Sequence, residues 1–309
     1  ERSYADLVAL CQFLPGPASS QVGIALGLSR AGYSGALAAW TGFTLPSAVA
    51  LILFALGISN YGDSVSPGAL HGLKVVAVAV VAQAVWGMAR NLCTDGLRVT
   101  IMAIAACAVL LVPSAWGQVG VIAAAGIIGR LLFKPAHTVE HDPLPITVSH
   151  RAGALWLSLF FALLIGLPIL AKLLPSPTMV VVDAFYRVGS LVFGGGHVVL
   201  PLLQAEVVSS GWVSNESFLA GYGAAQAVPG PLFTFAAFLG ASMSTAPSGW
   251  VGGIVCLLAI FAPSFLLVVG AMPFWERLRR NTGMRAALAG VNAAVVGLLL
   301  AAFYHPVWT

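Results

Sequence analysis

Residues 12–20 read Gln12-Phe13-Leu14-Pro15-Gly16-Pro17-Ala18-Ser19-Ser20, and residues 226–234 read Gln226-Ala227-Val228-Pro229-Gly230-Pro231-Leu232-Phe233-Thr234. The second stretch repeats the first 214 positions later, with Gln on Gln, Pro-Gly-Pro on Pro-Gly-Pro and Thr234 on Ser20. At the same offset Ser3 falls on Ser217. Leu45-Pro46-Ser47 matches Ala262-Pro263-Ser264 at offset 217, and Gly72 matches Gly290 at offset 218. One slowly rising offset across three consecutive segments reads as a duplicated unit with small loop insertions.

The duplicated unit is built from apolar chain. Of 309 residues 59% are hydrophobic and 8% charged, and the mean hydropathy is +0.96. Soluble domains carry about a quarter charged residues, so a water-soluble fold is excluded, and disorder with it. Nucleic acid is not an expected partner: the 14 Lys and Arg form no patch and no recognition motif accompanies them. The composition is that of a polytopic membrane protein whose partner is the lipid bilayer.

Charge-free runs set the spans. No Asp, Glu, Lys or Arg occurs in 7–29, 31–62, 99–129, 152–171, 217–275 or 286–309, and a helix needs about 20 apolar residues to cross a bilayer. Ten hydrophobic segments result, near 5–28, 34–58, 70–90, 98–112, 116–133, 150–174, 179–208, 216–243, 248–271 and 285–304. They are too long and continuous for a β-barrel, so an all-α protein is expected.

Alternate loops are basic. Arg30; Arg90 and Arg98; Arg130, Lys134 and Arg151; and Arg277, Arg279, Arg280 and Arg285 mark loops expected in the cytoplasm. Near 209–215 the alternation weakens, with Glu206 and Glu216 at its flanks. Segments one and eight, which carry the two breaks, are an odd number of crossings apart. The repeats should therefore be inverted, as in many secondary transporters. Residues 1–133 read as the first repeat, 134–178 as a connector loop and linking helix, and 179–309 as the second repeat. Comparison of the copies also predicts a helix preceding Glu1 and a further pair following Thr309.

Three segments are interrupted: at Pro15-Gly16-Pro17, at Gly194-Gly195-Gly196-His197, and at Pro229-Gly230-Pro231. Proline removes an amide donor and clashes with the preceding turn. Unpaired backbone groups are tolerated in lipid only where protein or a water-filled cavity meets them. A broken helix also presents a free N-terminus, with its N–H groups and partial positive charge, inside the membrane. The expected anion site therefore comprises these breaks, with Gln12 and Gln226 as amide donors and Ser19, Ser20 and Thr234 as hydroxyls that either donate to an oxyanion or cap their own helix. The plainer reading of each break is a kink packed on a neighbour.

His197 lies well inside an apolar segment, so it is a proton-coupling candidate, as is Glu206; a neutral histidine bonded to a carbonyl is the alternative. Lys74 either snorkels to water or faces the cavity. Asp183 and Arg187, four residues apart, are placed to neutralise each other. The four cysteines form no CxxC or Cys/His cluster, and no hydrolase or metalloprotease motif occurs. No cofactor, metal or catalytic residue is expected.

The run Phe193-Gly194-Gly195-Gly196-His197-Val198-Val199-Leu200-Pro201-Leu202-Leu203 resembles a signature of the chromate ion transporter family. So does Gly221-Tyr222-Gly223-Ala224-Ala225-Gln226 through Pro229-Gly230-Pro231 to Thr234-Phe235. Phe13-Leu14-Pro15-Gly16-Pro17 and His71-Gly72-Leu73-Lys74-Val75-Val76-Ala77-Val78 are similar to it as well. The resemblance implies a multi-pass protein of a bacterial or archaeal plasma membrane that exports chromate by alternating access and confers chromate resistance. Sulfate is the expected competitor or counter-substrate, and a homodimer is allowed. A sulfate or other oxyanion exchanger, or an anion channel of the same build, is the alternative.

Overall fold

The computed structural model describes the chain apart from residues 1, 62–66, 113, 134–147, 175, 194–195 and 305–309. Every regular element among the described residues is a helix, as the apolar composition requires: in hydrocarbon a helix satisfies its own backbone. The elements are α1 (Arg2–Phe13), α2 (Ala18–Tyr61), α3 (Pro67–Leu92), α4 (Gly96–Leu111), α5 (Ala115–Leu132), α6 (His150–Leu173) and α7 (Pro177–Leu191). They continue with α8 (Val199–Val207), α9 (Asn215–Ala227), α10 (Phe235–Ala241), α11 (Gly249–Ala271), α12 (Trp275–Arg280) and α13 (Thr282–Ala302). Five helices among the described residues are long and apolar enough to cross a membrane, and α4 and α5 are shorter. The chain is a helical polytopic membrane protein.

The long α2 is not one rod. Ala31 and Gly32 leave helical geometry, Gly32 with φ 63°. Gly27 and Gly35 then meet backbone to backbone, although eight residues of straight helix would separate them by about 12 Å. The second repeat turns back in the same way: Gly240 of α10 meets Gly252 of α11. There the turn is longer, taking residues 242–248, and it falls where the offset between the copies rises from 214 to 217.

Two of the ten apolar segments do not run straight through, contrary to the sequence expectation. In 216–243 the Phe218 and Phe235 rings are 5.1 Å apart, whereas 17 residues of helix would place them about 25 Å apart. Ser244 N–H donates to the Trp212 carbonyl at 3.0 Å, so the chain leaves this segment on the side it entered. Segment 179–208 also folds back: Arg187 of α7 pairs with Glu206 of α8. With 13 and 7 residues in α9 and α10, neither arm can span a bilayer alone. Residues 209–215 therefore share a face with the Arg-poor loop 243–248, and the weak point in the basic alternation is removed.

The repeats are inverted. Trp40 packs on Phe261 and Phe265, with ring centroids 5.6 and 5.7 Å apart, and Ile52 lies on Gly253. Moving forward along α2 therefore moves backward along α11. Since these are equivalent helices of the two copies, their antiparallel packing is the inversion. Outside this core, α13 is embraced by α4 and α5, with Gly290 against the Ala125 carbonyl and Gly297 against that of Met102. Small residues permit this approach.

Candidate functional site

Each break ends a helix without a continuing partner for its last carbonyls, and the chain between the arms must find bonds elsewhere. The Gly16 N–H donates to the Val192 carbonyl at 2.7 Å, joining the first break to the end of α7. Gln21 Nε2 donates to the Pro15 carbonyl at 2.6 Å. Gly196 faces Leu232, 3.7 Å from a Cβ placed on it. The three breaks therefore converge in the interior.

Beside them lies a cavity of about 570 Å3 lined by Gln83, Asn91, His197 and Gln226 among apolar residues of α3. His197 Nδ1 is 3.0 Å from the hydroxyl of the fully buried Tyr222, which fixes the ring. The Gln226 side chain turns toward the same Tyr222 hydroxyl, and its buried Nε2 makes no other hydrogen bond among the described residues. A second cavity, about 350 Å3, is lined by Gln12, Asn91, Arg98, Arg285 and Asn292, and shares Asn91 and Leu92 with the first. Among the described residues no carboxylate lines either.

The structure therefore brings Gln12, Gln226 and His197 to cavity walls. Pro15, Gly16 and Pro17 are buried, whereas Pro229 and Gly230 are exposed and Pro231 is buried. Ser19 is exposed and Ser20 is buried, its hydroxyl without a partner among the described residues. Thr234 Oγ1 donates to the Pro231 carbonyl at 2.8 Å, so it is committed to its own turn. Gly194, Gly195 and the side chain of Lys74 lie outside the described residues, and Gly196 opens the short turn that carries His197. Glu206 is mostly buried and paired with Arg187, which also binds Asp183 at 3.0 Å and lies 4.8 Å over the Trp116 ring.

Sequence reasoning overlooks Gln83, Asn91, Arg98, Arg285 and Asn292 as wall residues, and Tyr222 as the partner of His197. Amides inside apolar helices are the available signal. Arg98 and Arg285 stand out in the sequence only as markers of a basic face.

The chain is thus a duplicated, inverted helical membrane protein with helix breaks beside an interior cavity, a build that recurs among membrane transporters. The sequence profile of the chromate transporter family matches residues 1–130 and again residues 179–309. The chain belongs to the chromate transporter family. It is 27% identical over 320 residues to the chromate transport protein of Pseudomonas aeruginosa, covering 96% of this chain and 70% of that protein. A probable chromate transport protein of Synechococcus elongatus is 24% identical over 312 residues, covering 98% and 74%. An uncharacterized transporter of Bacillus subtilis is 35% identical over 121 residues, covering 38% and 59%. No solved structure matches the chain.

Proposed function

We propose that the protein exports chromate across the plasma membrane of its bacterial or archaeal host by alternating access, and thereby confers chromate resistance. The placement of Gln226 and His197 on the wall of one cavity beside the helix breaks carries the reading. Chromate is a tetrahedral dianion near neutral pH. Amide, imidazole and peptide N–H donors bind such an ion reversibly, where a fully charged side chain at the bilayer centre would hold it too long.

Unequal exposure of the equivalent breaks supports alternating access. Gly230 is exposed while Gly16 is buried, and the cavity beside Gln226 runs along residues 80–92 of α3, toward the basic face. An inverted repeat that exchanges the two conformations exposes the first break and buries the second, opening the opposite face. His197 is the proton-coupling group in this scheme, since the Glu206 carboxylate is held by Arg187.

Radiolabelled chromate uptake into everted vesicles, with sulfate and molybdate as competitors and with an imposed pH gradient, tests the proposal. Saturable uptake against a concentration gradient is expected, accelerated by the pH gradient in the wild type and not in His197→Asn. Flux that only dissipates gradients makes the protein a channel. Uptake indifferent to pH removes proton coupling.

A further inference from the structure

The 350 Å3 cavity differs in character from the chamber holding His197 and Gln226. Its wall includes two guanidinium-bearing residues from separate helices, Arg98 in the first turn of α4 and Arg285 in the first turn of α13, together with the amides of Gln12, Asn91 and Asn292. No acidic side chain lines it. Both helices also turn their N-termini, and so the positive ends of their dipoles, toward this region.

Arg98 is held in place before any ligand arrives. Its backbone N–H donates to Asp95 Oδ1 at 2.9 Å, its Nη1 donates to Thr94 Oγ1 at 3.1 Å, and its Nε lies 3.2 Å from Asp95 Oδ2. The guanidinium carbon sits 5.2 Å from the Phe133 ring centroid. A planar donor fork fixed in this way suits oxyanion geometry. Asp95 braces the arginine without lining the cavity.

The location matters as much as the charge. Arg130 lies close to Gly283 at the start of α13, so the cavity opens among the basic loops, where water screens the arginines. An ion is captured there without being trapped. The wall residues Asn91 and Leu92 are common to both cavities, so the two adjoin at the end of α3.

We infer that Arg98 and Arg285 form a docking site for a divalent tetrahedral oxyanion on the basic face, one that selects dianions over monoanions before transfer to the His197–Gln226 chamber. The inference rests on the transport reading above. It adds a loading site that is separate from the translocation site.

The test uses the full chain, purified, with two readouts: equilibrium binding of radiolabelled chromate and sulfate in detergent, and initial uptake rates in proteoliposomes. In Arg98→Gln/Arg285→Gln we expect KM and the Kd for chromate to rise about tenfold or more with kcat within about twofold, and the ionic-strength dependence to flatten. Arg98→Lys/Arg285→Lys, which keeps the charges and loses the planar forks, should restore the ionic-strength dependence and only part of the affinity, a pattern that a structural role in folding does not predict. In Gln226→Leu the loss should fall on kcat. Unchanged KM and salt dependence in the double Gln variant overturn the inference, as does a loss confined to kcat. If the wild type moves no chromate, the transport reading fails, and the binding arm still judges the docking site by whether sulfate and chromate binding depend on the two arginines.

Discussion

Gly16 of the first repeat lies against Ser264 of the second, so close that a Cβ on the glycine would sit 2.8 Å from the serine hydroxyl. Gly230 of the second repeat meets Ser47 of the first. Each copy thus seats its Pro-Gly-Pro break on the Pro-Ser step of the other, and the pairing is reciprocal because the copies are related by an approximate two-fold axis. A break held by the opposite repeat can move only if the two repeats move together.

Gly16→Ala tests this clasp. The residue has φ +124°, a conformation that disfavours a side chain, and the added methyl also meets Gln21 Nε2 at 2.6 Å. Destabilisation of about 1–3 kcal/mol and loss of vesicle uptake are expected. At the second clasp, Gly230→Ala should be relieved in part by Ser47→Gly, because the serine side chain is the obstacle there. Melting curves in detergent and uptake rates report both.

The Asp183–Arg187–Glu206 cluster gives a sharper stability test. Arg187→Met leaves two buried carboxylates without their shared counter-ion, and a loss of about 3–5 kcal/mol is expected. The triple variant Asp183→Asn/Arg187→Met/Glu206→Gln, which removes all three charges, should recover most of it. Equal instability of the single and triple variants would show that the cluster acts through shape and not charge.

Chain sidedness separates the folded-back arrangement from ten straight crossings. In a cysteine-free background, Ser210→Cys and Thr245→Cys should react from the same face with a membrane-impermeant maleimide. Thr282→Cys, beside Arg285, should react only from the other face. Labelling of positions 210 and 245 from opposite faces would rule out the return of the α9–α10 arm.

Gln226→Leu should lower the maximal rate of chromate uptake by about tenfold, the size of one or two neutral hydrogen bonds lost. Gln226→Glu should be worse, since a carboxylate repels the dianion. Retained uptake in Gln226→Glu would place the ion path elsewhere.

Much of this molecule is legible in its residues. Charge-free runs give a helical membrane protein, because no other open structure satisfies its backbone in lipid. The recurrence of Pro-Gly-Pro gives the duplication, and Arg distribution identifies the basic face. Local chemistry also marks where helices stop, as proline and glycine act within one turn.

The direction the chain takes after a helix stop is not set locally. Pro229-Gly230-Pro231 permits either a kink or a reversal at similar cost, and the flanking apolar pattern is the same for both. The reversal is decided by contacts far along the chain, such as Phe218 on Phe235 and Trp212 with Ser244. The meeting of Arg98, Arg285 and Asn91 around one cavity likewise depends on how α3, α4 and α13 pack. Sequence periodicity fixes which face of a helix is apolar; only packing in three dimensions fixes which neighbour that face finds.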